Sequence, residues 1–94
     1  MKSNYLDNFK DLFEVISKIE SEEECREFLQ DLCTIKELTD MTQRLQVAKL
    51  LDQGKNYKEI QEATGASPAT ISRVNRCFMY NDGYKDMLKK LTNK

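Results

Sequence analysis

The chain has no histidine and no tryptophan, and only one proline, three glycines and three cysteines among its 94 residues. Without an imidazole it lacks the commonest general base, the usual metal ligand and most nucleophile–base pairs. Cys25, Cys33 and Cys77 are an odd number at spacings unlike those of a metal site, and three scattered thiols do not complete a four-ligand zinc site. They read as reduced thiols that behave as small apolar residues. Neither a paired thiol nor a glycine-rich phosphate loop replaces the missing groups. The sequence therefore offers no catalytic site, and no metal or cofactor is expected. No apolar run approaches the ~20 residues of a membrane span. The amino end, Met1 to Asp7, is too acidic and too interrupted for a signal peptide. The expectation is a cytoplasmic protein with no membrane partner.

Excess charge of either sign is also missing, since the net charge is −1. The distribution says more than the total. Residues 1–40 carry five Lys/Arg against eleven Asp/Glu, and residues 41–94 carry ten against five. The amino half is negative and the carboxyl half positive. Phosphate binding depends on the local face rather than on the sum. Weak overall basicity predicts modest non-specific affinity.

The strongest pattern lies in residues 56–77, which read as two short helices joined by a tight turn. Asn56 is a good N-cap, with Glu59 three residues on to complete a capping box. The first helix is expected to run through Ala63. Thr64-Gly65-Ala66 form the turn, where Gly65 can take a positive φ. Ser67 caps the second helix, and Pro68 occupies its first position, where a missing N–H costs nothing. Ile60, Ala63, Ala66, Ile71 and Val74 can pack the two helices together. The second helix then presents Ser67, Pro68, Ala69, Thr70, Ser72, Arg73 and Arg76 outward. No acid occurs from Thr64 to Asn81. Small residues, hydroxyls and guanidiniums suit a helix entering the major groove of double-stranded DNA. Caps alone would fit any helical hairpin. The glycine turn, the Ser-Pro start and the two arginines point to a helix-turn-helix.

The remaining chain reads as helices of one small all-α domain spanning residues 1–94. Residues 5–19 place Tyr5, Leu6, Phe9, Leu12, Phe13, Ile16 and Ile19 at helical spacing, an apolar face that needs a partner, either this chain's own core or a second copy. Ser21 to Glu24 is a capping box opening a short helix, with Cys25, Phe28, Leu29 and Leu32 expected inward. Thr34 to Glu37 is another, opening a long bracing segment over residues 34–54. There Ile35, Leu38, Met41, Leu45, Ala48 and Leu51 form the expected buried stripe, which Val47 and Leu50 widen. Gly54 ends that helix. Asn81-Asp82-Gly83 signals a turn. A last amphipathic helix follows over residues 83–91, with Tyr84, Met87, Leu88 and Leu91 on one side and Lys85, Lys89, Lys90 and Lys94 on the other. Those lysines fit phosphate contact or a solvated face.

The run Thr34-Ile35-Lys36-Glu37-Leu38, then Gln43-Arg44, then Ala48-Lys49-Leu50-Leu51, resembles the Trp repressor superfamily. So do Tyr57, Ile60 and the run from Thr64 to Arg73. The likeness is greatest to the YerC/YecD branch of Trp repressor-related proteins. It spans about residues 8 to 91, and Ala69-Thr70-Ile71-Ser72-Arg73 is its most specific part. The resemblance implies six helices, with residues 1–33 interlocking in a two-fold homodimer. It implies base-edge contacts from Pro68, Ala69, Thr70 and Ser72, with Lys58 and Gln61 near phosphates or the groove. It also implies a small-molecule effector site at Arg44 and Arg73, with Thr34 in the pocket lining. Paired arginines suit a carboxylate. Asp40 is an ordinary alternative partner for Arg44, and a phosphate for Arg73. Val74 and Cys77 stand where the family has glycine and serine around the indole. That departure argues against tryptophan as corepressor.

The leading expectation is a sequence-specific transcriptional regulator, a repressor that acts as a homodimer on a palindromic operator. The alternative is a helical dimerisation module whose helix-turn-helix does not bind DNA.

Overall fold

The computed structural model describes residues 5–92. A 3-10 segment, Tyr5–Phe9, leads into six α-helices: α1 (Lys10–Ser17), α2 (Glu22–Leu32), α3 (Ile35–Asp52), α4 (Tyr57–Thr64), α5 (Pro68–Tyr80) and α6 (Gly83–Thr92). Among the described residues there is no strand, so the all-α, six-helix expectation holds. Lys94 lies outside the described residues. The chain divides into an amino-terminal unit up to Ile35 and a carboxyl-terminal unit from Lys36.

In the amino-terminal unit the expected continuous helix over residues 5–19 is shorter. Residues Tyr5–Phe9 form a 3-10 turn, and the α-helix starts only at Lys10. Asp7 and Asn8 are residue types with weak α-helix preference, in keeping with this start. At the other end, Ser17 Oγ donates back to the Glu14 carbonyl at 2.7 Å. The Lys18 and Ile19 amides close tight bonds to the Val15 and Ile16 carbonyls, which finishes the helix. Tyr5, Phe9 and Phe13 form a ladder of rings, with centroids 6.5 and 6.3 Å apart. No residue of the 3-10 segment, α1 or α2 is fully buried.

Ser21 caps α2 by accepting the Glu24 amide at 3.0 Å. The return half of the expected capping box is displaced by one residue. Glu24 Oε1 accepts from the Glu20 amide at 2.9 Å. Cys25, Phe28 and Leu29 are half-buried. Leu32, expected inward, is exposed. It is the last residue of α2, and Cys33 then turns to an extended conformation, so no further helical turn covers it.

The carboxyl-terminal unit has its own core of Val47, Ala48, Ile60, Ala66, Ile71, Val74 and Leu88, with Leu50, Leu51, Phe78 and Tyr84 packed around it. Helices α3 to α6 each contribute to it. The buried side of α3 differs from the expected stripe. Val47 and Ala48 are fully buried, whereas Ile35 is 84% exposed and Met41 and Leu45 also face outward. The α3 helix is apolar on two sides, and α4 and α5 cover the side centred on Val47. Its carboxyl end is closed by Gly54 at φ +82°. The Gly54 amide bonds the Leu51 carbonyl and the Lys55 amide bonds the Leu50 carbonyl, each at 3.0 Å, the paired bonds of a Schellman stop.

Helix α5 runs three residues beyond its expected end at Cys77, to Tyr80. No breaker stands between them. Asn81 ends it in an extended conformation, with its amide on the Cys77 carbonyl at 2.9 Å. In α6, Leu88 is buried but Met87 and Leu91 are exposed. Lys85 does not stand on the outer face. It is half-buried, with Nζ 5.3 Å from the Phe78 ring centroid, a cation–π contact that ties α6 to α5.

Candidate nucleic-acid interface

The turn between α4 and α5 is built from short-range chemistry. Asn56 Oδ1 accepts the Glu59 amide at 2.8 Å, and Glu59 Oε1 accepts the Asn56 amide at 2.9 Å. This capping box fixes the start of α4. The helix includes Thr64, one residue beyond the expected end at Ala63. Gly65 then takes φ +73° and ψ 5°, and its amide bonds the Gln61 carbonyl at 2.9 Å. Side chains other than glycine pay a penalty in this left-handed region.

Thr64 stabilises the same turn twice. Its hydroxyl donates to the Ile60 carbonyl at 2.8 Å and accepts the Ala66 amide at 3.1 Å. Its carbonyl accepts Gln43 Nε2 from α3 at 3.2 Å. Ala66, buried in the core, anchors the chain just before α5. Ser67 Oγ accepts the Thr70 amide at 3.1 Å and donates to Thr70 Oγ1 at 3.1 Å. Pro68 occupies the first helical position. The start of α5 is thus capped, and its small residues reach solvent.

On α5, Ile71 and Val74 are buried in the core. Ala69, Ser72, Arg73 and Arg76 are exposed and follow helical spacing, so they form one stripe opposite the core. Ser67 and Pro68 are exposed at its head, while Thr70 is half-buried beside them. No acid lies on α5. Lys58 and Gln61 are exposed on α4. Glu62, also exposed there, makes that side less positive than α5.

Arg44 is half-buried on α3, and Arg73 is exposed on α5. Asp40, the acid offered as a partner for Arg44, is engaged by Lys36 Nζ at 3.2 Å. Thr34 is exposed and immediately precedes α3. Val74 is committed to the core. Cys77 lines an open, largely apolar cleft of about 500 Å³ with Leu45, Tyr84 and Met87.

Gln43, which in the sequence stands out only as part of the family resemblance, gains its contact to the turn in the structure. It precedes Val47 by four residues, so it shares the core-facing side of α3. A polar residue one turn before a buried valine was the signal available in the sequence.

The family model described as Trp repressor protein matches residues 7–92. The uncharacterized protein YerC of Bacillus subtilis (strain 168) is 48% identical over 81 residues, which cover 85% of this chain and 78% of that protein. A TrpR like protein from Eubacterium eligens ATCC 27750 superposes with a TM-score of 0.87 at 40% identity, over 97% of both chains. A crystal structure from Staphylococcus aureus, provisionally described as a Trp repressor, gives 0.85 at 39% identity over 98% of both chains.

Proposed function

Because the chain belongs to the Trp repressor family, we propose that it is a sequence-specific DNA-binding transcriptional regulator, a repressor that acts as a homodimer on a palindromic operator. One observation carries the reading. The exposed stripe of α5, Ala69-Ser72-Arg73-Arg76, stands opposite the buried Ile71 and Val74 on an acid-free helix with a capped, uncrowded start. That stripe offers a phosphate-binding, base-reading surface at the end of the helix that enters a groove first.

In this proposal Ala69, Thr70 and Ser72 read base edges from the capped start formed by Ser67 and Pro68. Arg73 and Arg76 hold phosphates, with Lys58 and Gln61 at the flank. In helix-turn-helix repressors, the Trp repressor among them, successive half-sites lie about 34 Å apart. A second copy supplies the second recognition helix. Exposed apolar residues on α1, and the open apolar cleft beside Leu45 and Met87, are the surfaces that a second copy would cover. An effector at Arg44 and Arg73 would be a carboxylate. Tryptophan fits poorly because Val74 fills the position where the family has glycine.

The test is selection of bound duplexes from a random library at about 50 and 200 mM salt, with and without L-tryptophan. Enrichment of a palindrome, weakened by salt and indifferent to tryptophan, is expected. No enrichment at either salt would reject DNA recognition in favour of the dimerisation-module alternative. A gain with tryptophan would reject the Val74 argument.

A further inference from the structure

We propose that Gln43 is a positioning residue for the recognition helix, a role that rests on the DNA-binding reading above. The Thr64 carbonyl is among the last four of α4, and such groups have no partner within their own helix. Gln43 Nε2 reaches it across 21 residues of sequence, at 3.2 Å and in a half-buried setting. The contact falls on the residue just before the left-handed Gly65. Thr64 already holds Ile60 and Ala66 through its hydroxyl. The bond from Gln43 therefore connects this local knot to the long helix α3. The capped start of α5 begins three residues later.

The consequence concerns specificity more than adhesion. Attraction between arginines and phosphates tolerates small displacements, whereas hydrogen bonds to base edges require a set distance and angle. Loss of the Gln43 amide leaves a half-buried carbonyl without its donor and releases the turn from α3. The base-reading residues Ala69, Thr70 and Ser72 then lose their fixed register, while Arg73 and Arg76 still meet the backbone.

The experiment compares the wild-type chain with Gln43→Met, which keeps the volume without a donor, and Gln43→Glu, which keeps the shape without the N–H. Binding to the selected palindrome and to a scrambled duplex is titrated over a range of salt. Hydrogen exchange is followed at the Ala66 amide relative to that of Ile71. Both variants should lose roughly tenfold in preference for the palindrome, about 1.4 kcal/mol. The slope of log affinity against log salt should stay unchanged, and Ala66 should exchange faster. A purely structural role would weaken both duplexes alike and speed exchange at Ala66 and Ile71 together. That pattern, or an unchanged preference with unchanged Ala66 protection, overturns the proposal. If the wild-type chain selects no sequence, the DNA-binding reading fails. The exchange ratio then still decides whether Gln43 holds the turn.

Discussion

Gly65 and Arg76 show how differently two residues of one motif should respond to replacement. Space around Gly65 is open, so a methyl group there meets no atom within 4 Å. The penalty for Gly65→Ala comes from its φ of +73° alone. A loss of about 1–2 kcal/mol is expected, read as a fall of several degrees in the thermal midpoint by circular dichroism. Arg76→Ala should leave that midpoint nearly unchanged, since the side chain is exposed. It should weaken binding to every duplex by a similar factor and reduce the salt slope by about one. A slope equal to wild type would remove Arg76 from the phosphate contacts. At this scale the caps were readable in advance. Asn56, Glu59, Ser67 and Gly65 depend on chemistry within four residues, and their roles follow from residue type and spacing. Gln43 was not readable in that way, because its partner is 21 residues away. Glu24 was only half readable, since two neighbouring amides compete for one carboxylate.

Among the elements, α4 and α5 depend on very few side chains. Ile60 is the single buried residue of α4. Ile60→Ala should therefore cost about 2–5 kcal/mol, and urea unfolding should show an early loss of helical signal. Met79→Ala, at an exposed position of α5, should cost little by the same measurement. Similar unfolding midpoints for the two variants would mean that the core does not hold the hairpin. The helices themselves were legible because apolar spacing, caps and glycines agree along most of the chain. The inward face of α3 was not. Periodicity identifies an apolar side, but α3 has two. Which one is covered depends on the positions of α4 and α5, and no local pattern encodes that. The end of α5 was missed because Asn81 to Gly83 is a stronger stop than anything near Cys77.

For the whole molecule, the two units differ in self-sufficiency. The carboxyl-terminal unit buries seven apolar residues, while the amino-terminal helices bury none completely. Leu12 stays exposed beside the aromatic ladder, as does Phe13 within it. In the proposed dimer this face is covered. Phe13→Asp should then move the protein toward monomer in sedimentation equilibrium and lower its affinity for a palindrome, while a single half-site is bound as before. An unchanged sedimentation profile would place the contact elsewhere. The need for a partner was legible in the sequence as an apolar face with no complement. A second copy as that partner is implied only by the family resemblance, because one chain does not encode its neighbours.

The imbalance between the units also bears on synthesis. A ribosome releases the amino-terminal helices before the core-forming residues from Val47 to Leu88 exist. The carboxyl-terminal unit draws its core from one chain, so the packing of that core does not depend on concentration. If a second copy covers the aromatic ladder, as proposed, the completion of that half is a second-order event. In that proposed dimer the aromatic helices, synthesised before the core, are finished after it, and the rate of expression becomes an input to how much of the protein can act.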